Sequence, residues 1–237
     1  MRLFVILTAI GAIVIAGFGA SSQPAQNSSE KGGSTGARAT ALPKDVYPES
    51  LNRLPLVKRE ELDERGQKLF DSYTGSNSRS LAGLQGPGGL RLHSPKLAEV
   101  NEPLNTYLRF NTEIPRRLSE LAILVTAREF DSQFEWTAHE PAAQKEGLEA
   151  QIINAVKNRR DIKGLPEKEA VIISIGRELF GKRTLSSPTF ARGLNLFGKK
   201  GMVDLITLMT NYASTSFFLR AFDMQLHADQ VPLLPIP

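Results

Sequence analysis

Apolar positions in this chain recur every three or four residues, and the runs are separated by proline, glycine and serine. That period is helical, because positions i, i+3 and i+4 share one face of an α-helix. The first such run, Lys58 to Tyr73, places Leu62, Leu69 and Phe70 on one side. Ser94-Pro95 supplies a helix start, and Leu97, Val100, Leu104 and Leu108 continue it to about Phe110. Pro115 opens a helix containing the apolar run Leu121 to Ala127. A polar break, Arg128 to Ser132, precedes another helix ending at Gly147, a C-cap candidate. Helices follow over Glu149 to Lys157, Pro166 to about Phe180 and Ser187 to Leu196. Gly198 and Gly201 then bracket a turn. Met202 to about Leu226 is apolar on several sides, which marks a buried helix. No stretch alternates convincingly with the period of a strand. The expected fold class is all-α, with seven or eight helices.

Residues 74–93 break the pattern. Gly75, Gly83, Gly86, Pro87, Gly88 and Gly89 argue against regular structure and predict a long loop. A loop of that length is either a functional rim or lid, or a surface excursion. At the N-terminus, Met1-Arg2 precedes an uncharged apolar stretch, residues 3–20, that ends in small residues. This is a secretory signal pattern, with an uncleaved membrane anchor as the competing reading. A cleaved segment predicts a secreted or periplasmic protein. Residues 21–45 offer little to bury and read as a flexible linker. The helical domain is expected over 46–230, with a proline-rich extended tail at 231–237.

Composition excludes several chemistries. The chain of 237 residues has no cysteine, so disulfides, thiolate metal sites and cysteine redox cycles are absent. A net charge of +4, without a run of Lys or Arg, gives no sign of nucleic-acid binding.

Chemistry concentrates between Leu118 and Leu148. Glu135 and His139 stand four residues apart, one turn apart on one helix face. A carboxylate beside an imidazole holds a proton-transfer group near neutral pH. The alternative for Glu135 is structural, since Ser132-Gln133-Phe134-Glu135 fits a capping box. Glu120 falls within an apolar helix, where a carboxylate is costly unless paired, and Arg116 on the same face can pair with it. No metal-ligand spacing accompanies His139.

These residues resemble the carboxymuconolactone decarboxylase family, which shares its fold with alkylhydroperoxidase D. The resemblance rests on Leu118-Ser119-Glu120-Leu121-Ala122-Ile123-Leu124, Phe134-Glu135-Trp136 and His139-Glu140, with Ala142, Ala143 and Gly147-Leu148 behind. It extends upstream through Leu92-His93-Ser94-Pro95, Tyr107-Leu108-Arg109-Phe110 and Pro115-Arg116-Arg117, and covers roughly residues 50–228. It implies an all-helical domain that forms homo-oligomers, trimers or hexamers, with sites near subunit contacts. The peroxidase branch uses two cysteines where this chain has Ser132 and Glu135, so thiol peroxidase chemistry lacks its nucleophile. The decarboxylase branch implies a cofactor-independent lyase acting on a carboxylated lactone or similar small acid. In that reading Glu120, Glu135 and His139 are catalytic. Arg109, Arg116 and Arg117 are the candidates for a substrate carboxylate, and Trp136 for a further substrate contact. Two alternatives stand beside it: a non-catalytic binding or assembly protein on the same scaffold, and a peroxidase-type oxidoreductase using an external thiol.

Overall fold

A computed structural model describes residues 42–236. The export segment expected at 1–20, and most of the linker expected at 21–45, lie outside them. The described residues contain eight α-helices: α1 Glu64–Thr74, α2 Pro87–Arg91, α3 Pro95–Thr106, α4 Arg116–Glu129, α5 Gln133–Lys145, α6 Ala150–Lys157, α7 Glu167–Gly176 and α8 Ser187–Ala221. No strand is present among the described residues; one isolated bridge pairs Tyr47 with Asn52. None of these helices is long and apolar enough to cross a membrane.

Helix α4 is the axis of the molecule. Every residue from Leu118 to Arg128 is buried, and α5, α6, α7 and α8 all pack against it. Its apolar run meets Trp136, Ile152, Ile172, Ile173, Leu205 and Met209 in the main core. Gly176 permits a close approach of α7, because a Cβ there would lie 2.2 Å from Val125 Cγ1 and 3.0 Å from Met209 Cε. Between α4 and α5 the chain turns at Asp131, which adopts φ +46°, a region Asp tolerates better than most residues. The polar break read from the sequence is therefore a tight reversal that lays α5 along α4.

Four expected elements are corrected. The run from Lys58 splits into a short 3-10 turn, Arg59–Glu61, and α1, whose N-cap Asp63 accepts from the Gly66 amide at 2.9 Å. The stretch 74–93 is not all loop: α2 occupies its end, with Pro87 in the first turn. Its glycines serve close packing, since a Cβ on Gly88 would meet the Tyr73 ring at 3.0 Å and one on Gly89 the Leu84 carbonyl oxygen at 1.8 Å. The long C-terminal helix ends at Ala221, short of Leu226. The expected turn after Leu196 is a kink inside α8 at Gly198, with φ +66°.

The tail has no regular structure, yet it is docked. Leu234 is buried in the main core, and Arg128 Nη1 donates to the Pro235 carbonyl at 2.7 Å. The α3 helix gives way to a π-helical turn, Tyr107–Asn111, a local widening often found at functional sites.

Candidate active site

Helices α4 and α5 bring Glu120, Glu135 and His139 together. The Glu120 carboxylate is fully buried. His139 Nδ1 donates to Glu120 Oε2 at 2.6 Å, and Arg116 Nη2 donates to Glu120 Oε1 at 2.6 Å. An ionised carboxylate only accepts, so this bond fixes the proton on Nδ1. Nε2 is turned the other way, 3.4 Å from Glu135 Oε2. The ring is held edge-on against Tyr212 of α8, with centroids 5.1 Å apart at 87°.

The electrostatics of this cluster are those of a buried ion pair. Burial opposes the charge on His139, but Glu120 and then Glu135 outweigh it and raise its pKa above the usual histidine value. Burial likewise opposes the charge on Glu120, but the His139 imidazolium, Arg116 and Arg109 lower its pKa below the ordinary carboxylate value. The two acidic neighbours thus favour the protonated form of His139. Burial pushes the Tyr212 phenol well above its normal range, so it stays a neutral hydroxyl.

Glu135, His139, Arg109 and Tyr212 line a pocket of about 260 Å³. Glu135, Ala138 and His139 of α5 form one wall, with Tyr212 and Thr215 of α8 beside them. Further lining comes from residues between Ser72 and Arg91, and from Arg109 and Phe110 of the π-helical turn. The glycine-rich stretch is therefore a pocket rim. Arg79, Arg91 and Arg109 all line the cavity. The guanidiniums of Arg79, Arg109 and Arg116 surround the Phe110 ring at 4.9, 4.8 and 4.5 Å from its centroid. Arg91 donates to Thr215 Oγ1 at 3.0 Å and stacks on Phe218. Two buried polar atoms of lining residues have no partner: Arg109 Nε and Glu135 Oε1.

The expected site residues separate on this geometry. Glu135, His139 and Arg109 line the cavity, and Glu120 stands directly behind His139. Arg116 holds Glu120, donates to the Arg109 carbonyl at 2.5 Å, and is not in the cavity wall. Arg117 is spent elsewhere, on Glu169, Glu149 and the Gly147 carbonyl. Trp136 faces the main core, and its Nε1 donates to Glu140 Oε2 at 2.5 Å. Neither Arg117 nor Trp136, both expected as substrate contacts, lines the cavity. Glu135 is not a helix cap either: Ser132 makes no side-chain cap bond, and the Glu135 carboxylate lies against His139. Sequence reasoning missed Arg79 and Arg91, which stood in the stretch read as loop, and Tyr212, which stood in a helix read as core. His93 lies outside the site, against the Pro55 carbonyl at 3.1 Å.

No family model matches the sequence, and no curated protein matches it. Solved structures do. An uncharacterised peroxidase-related protein from Ralstonia eutropha JMP134, described as an alkylhydroperoxidase AhpD core, superposes with a TM-score of 0.60 at 11% identity, covering 76% of this chain and 94% of that one. A variant of the debrominase Bmp8 in complex with 2,3,4-tribromopyrrole superposes with a TM-score of 0.59 at 12% identity, covering 73% of this chain and 90% of that one. At such identities the likeness speaks for architecture: this chain has the all-helical fold of the alkylhydroperoxidase D core.

Proposed function

We propose that this protein is a cofactor-independent acid–base enzyme, a lyase that decarboxylates a carboxylated lactone or similar small acid. The observation that carries the reading is the buried Glu120–His139–Glu135 array, two of whose members, His139 and Glu135, line a pocket with arginines on its walls. An imidazole ring that lines the pocket, held at Nδ1 by Glu120 and favoured in its protonated form, is arranged as a general acid. Arg109, with Arg91 and Arg79 on the same cavity, balances the charge of an acidic substrate.

The chemistry follows from the positions. The substrate's carbon–carboxylate bond breaks, carbon dioxide leaves, and the electron pair is taken up by the adjoining carbonyl as an enolate. The neutral Tyr212 hydroxyl lines the pocket and offers a donor to that oxygen. His139 Nε2–H then protonates the carbon, while Glu120 keeps the ring oriented and stabilises its charge. The likeness to a debrominase supports an enzymatic use of this fold. A thiol peroxidase would need a nucleophile that a cysteine-free chain lacks.

The rival is a binding scaffold that has kept the fold, and the low exposure of His139, 4%, is the observation in its favour. A screen against carboxylated lactones and related aromatic-derived acids separates the two, with carbon dioxide release and solvent deuterium incorporation as readouts. His139→Ala and Glu120→Gln are expected to lose turnover of any accepted substrate. Full turnover in both variants would overturn the assignment. Homo-oligomerisation belongs to the same proposal. It is supported by the exposed apolar side chains Leu97, Val100 and Leu104 along α3 and Val203 and Phe217 on α8, and light scattering reads it directly.

A further inference from the structure

We propose that the same pocket also catalyses a 1,3-proton shift on enolisable 2-oxo acids, with Glu135 acting as the base at oxygen and His139 as the acid at carbon. This rests on the reading of His139 as a proton donor and gives Glu135 a chemical task of its own.

Glu135 carries an unfilled acceptor. Glu135 is 3% exposed; its Oε2 lies 3.4 Å from His139 Nε2, while its Oε1 has no partner. A buried carboxylate oxygen without a donor is costly, so its persistence beside a cavity points to a donor on the ligand. Arg109, 7% exposed and lining the same cavity, has the complementary vacancy, a buried Nε without an acceptor. A ligand that satisfies both carries a protonated heteroatom and an anionic group. A carboxylated lactone offers only acceptors. The enol of a 2-oxo acid offers both, its hydroxyl to Glu135 and its carboxylate to Arg109.

The spacing of acid and base fits that chemistry. In an enol, the oxygen that loses a proton and the carbon that gains one are two bonds apart. Glu135 and His139 Nε2 are in contact, so one ligand pose serves both. Glu135 removes the hydroxyl proton and the O–H pair becomes the carbonyl π bond. The former C=C pair takes the proton from His139 Nε2–H and forms the new C–H bond. Glu135 is left protonated and His139 neutral. A half-turn of the carboxyl exchanges its oxygens, and the proton returns to Nε2 across the 3.4 Å contact. No oxidant, reductant or net proton is consumed.

Phenylpyruvate is a suitable probe, with the full chain as enzyme. Ketonisation of its enol is followed by ultraviolet absorbance, and exchange of its C3 protons in deuterium oxide by NMR. Wild type is expected to accelerate both at least tenfold over buffer. Glu135→Gln should remove at least tenfold of that acceleration and Glu135→Asp should restore part of it. Thermal unfolding checks that Glu135→Gln folds, as expected for a carboxylate whose Oε1 has no partner to lose. Phenylpyruvate turnover at the buffer rate, or unchanged turnover in folded Glu135→Gln, overturns this inference alone if carbon dioxide release from a lactone acid still depends on His139. Lactone decarboxylation that is unchanged in His139→Gln overturns the underlying reading as well.

Discussion

Replacing Glu120 with Gln tests the electrostatic core of the site without a change in volume. The carboxylate is fully buried and accepts from His139 Nδ1 and Arg116 Nη2, both at 2.6 Å. Removing one member of a buried pair costs roughly 3–5 kcal/mol when the other is left charged. Here His139 can shed its proton, the amide oxygen can still accept from Nδ1, and Arg116 is partly solvated. The loss should therefore fall to about 1–3 kcal/mol, nearer that of a charged hydrogen bond. At about 2–4 °C per kcal/mol for a chain of this size, the melting temperature drops by roughly 2–12 °C near neutral pH. The pH dependence carries the sign. His139 has a raised pKa in the fold, so its contribution is complete below the ordinary histidine value and fades as pH rises through the folded one. Glu120 has a lowered pKa, so its contribution is complete above the ordinary carboxylate value and fades as pH falls through the folded one. The pair stabilises most strongly between the two. Differential scanning fluorimetry from pH 4 to 9 should show the variant's deficit largest in that window and shrinking on both sides. A deficit independent of pH would refute the ion-pair account and leave only a packing defect.

Other perturbations probe what surrounds the site. Gly89→Ala drives a Cβ to 1.8 Å from the Leu84 carbonyl oxygen, so α2 must shift. A loss of about 1–3 kcal/mol, with faster proteolysis between residues 75 and 92, is expected. Tyr107→Phe removes a hydroxyl that donates to both Asp204 oxygens at 3.2 Å and steadies the turn carrying Arg109. It should cost about 0.5–1.5 kcal/mol in stability and weaken binding of acidic ligands by calorimetry. Truncation after Gln230 removes buried Leu234 and the Pro235 carbonyl that satisfies Arg128. Urea unfolding should register a loss of roughly 2–4 kcal/mol.

The helices and the Glu120–Glu135–His139 cluster were legible because both follow from spacing. Glu135 and His139 share a face whatever they pack against, and the Arg116–Glu120 pair formed as its i, i+4 spacing implied. A carboxylate inside the apolar run of α4 also required a partner, and His139 supplies the second one. Arg79 and Arg91 were illegible because glycines that permit close packing look, in sequence, like glycines that permit disorder. The contacts that distinguish the two uses, Gly88 on Tyr73 and Gly89 on Leu84, are tertiary. Tyr212 was hidden among core residues of α8, since nothing local marks which turn of a buried helix abuts a cavity. Trp136 and Arg117 misled for the complementary reason. A position near the Glu120–His139 cluster in sequence does not fix where a side chain points, and these two turn to Glu140 and to Glu149 and Glu169.

The most direct test of the central claim is the protonation state of His139 itself. The chain has three histidines, and nitrogen NMR of histidine-labelled protein, assigned with His139→Gln, isolates its imidazole. The account predicts an imidazolium at pH 7, with both nitrogens protonated and titration displaced above the ordinary histidine range; Glu120→Gln should move that titration down. A neutral imidazole at pH 7, titrating like a free histidine and unmoved by Glu120→Gln, would contradict it.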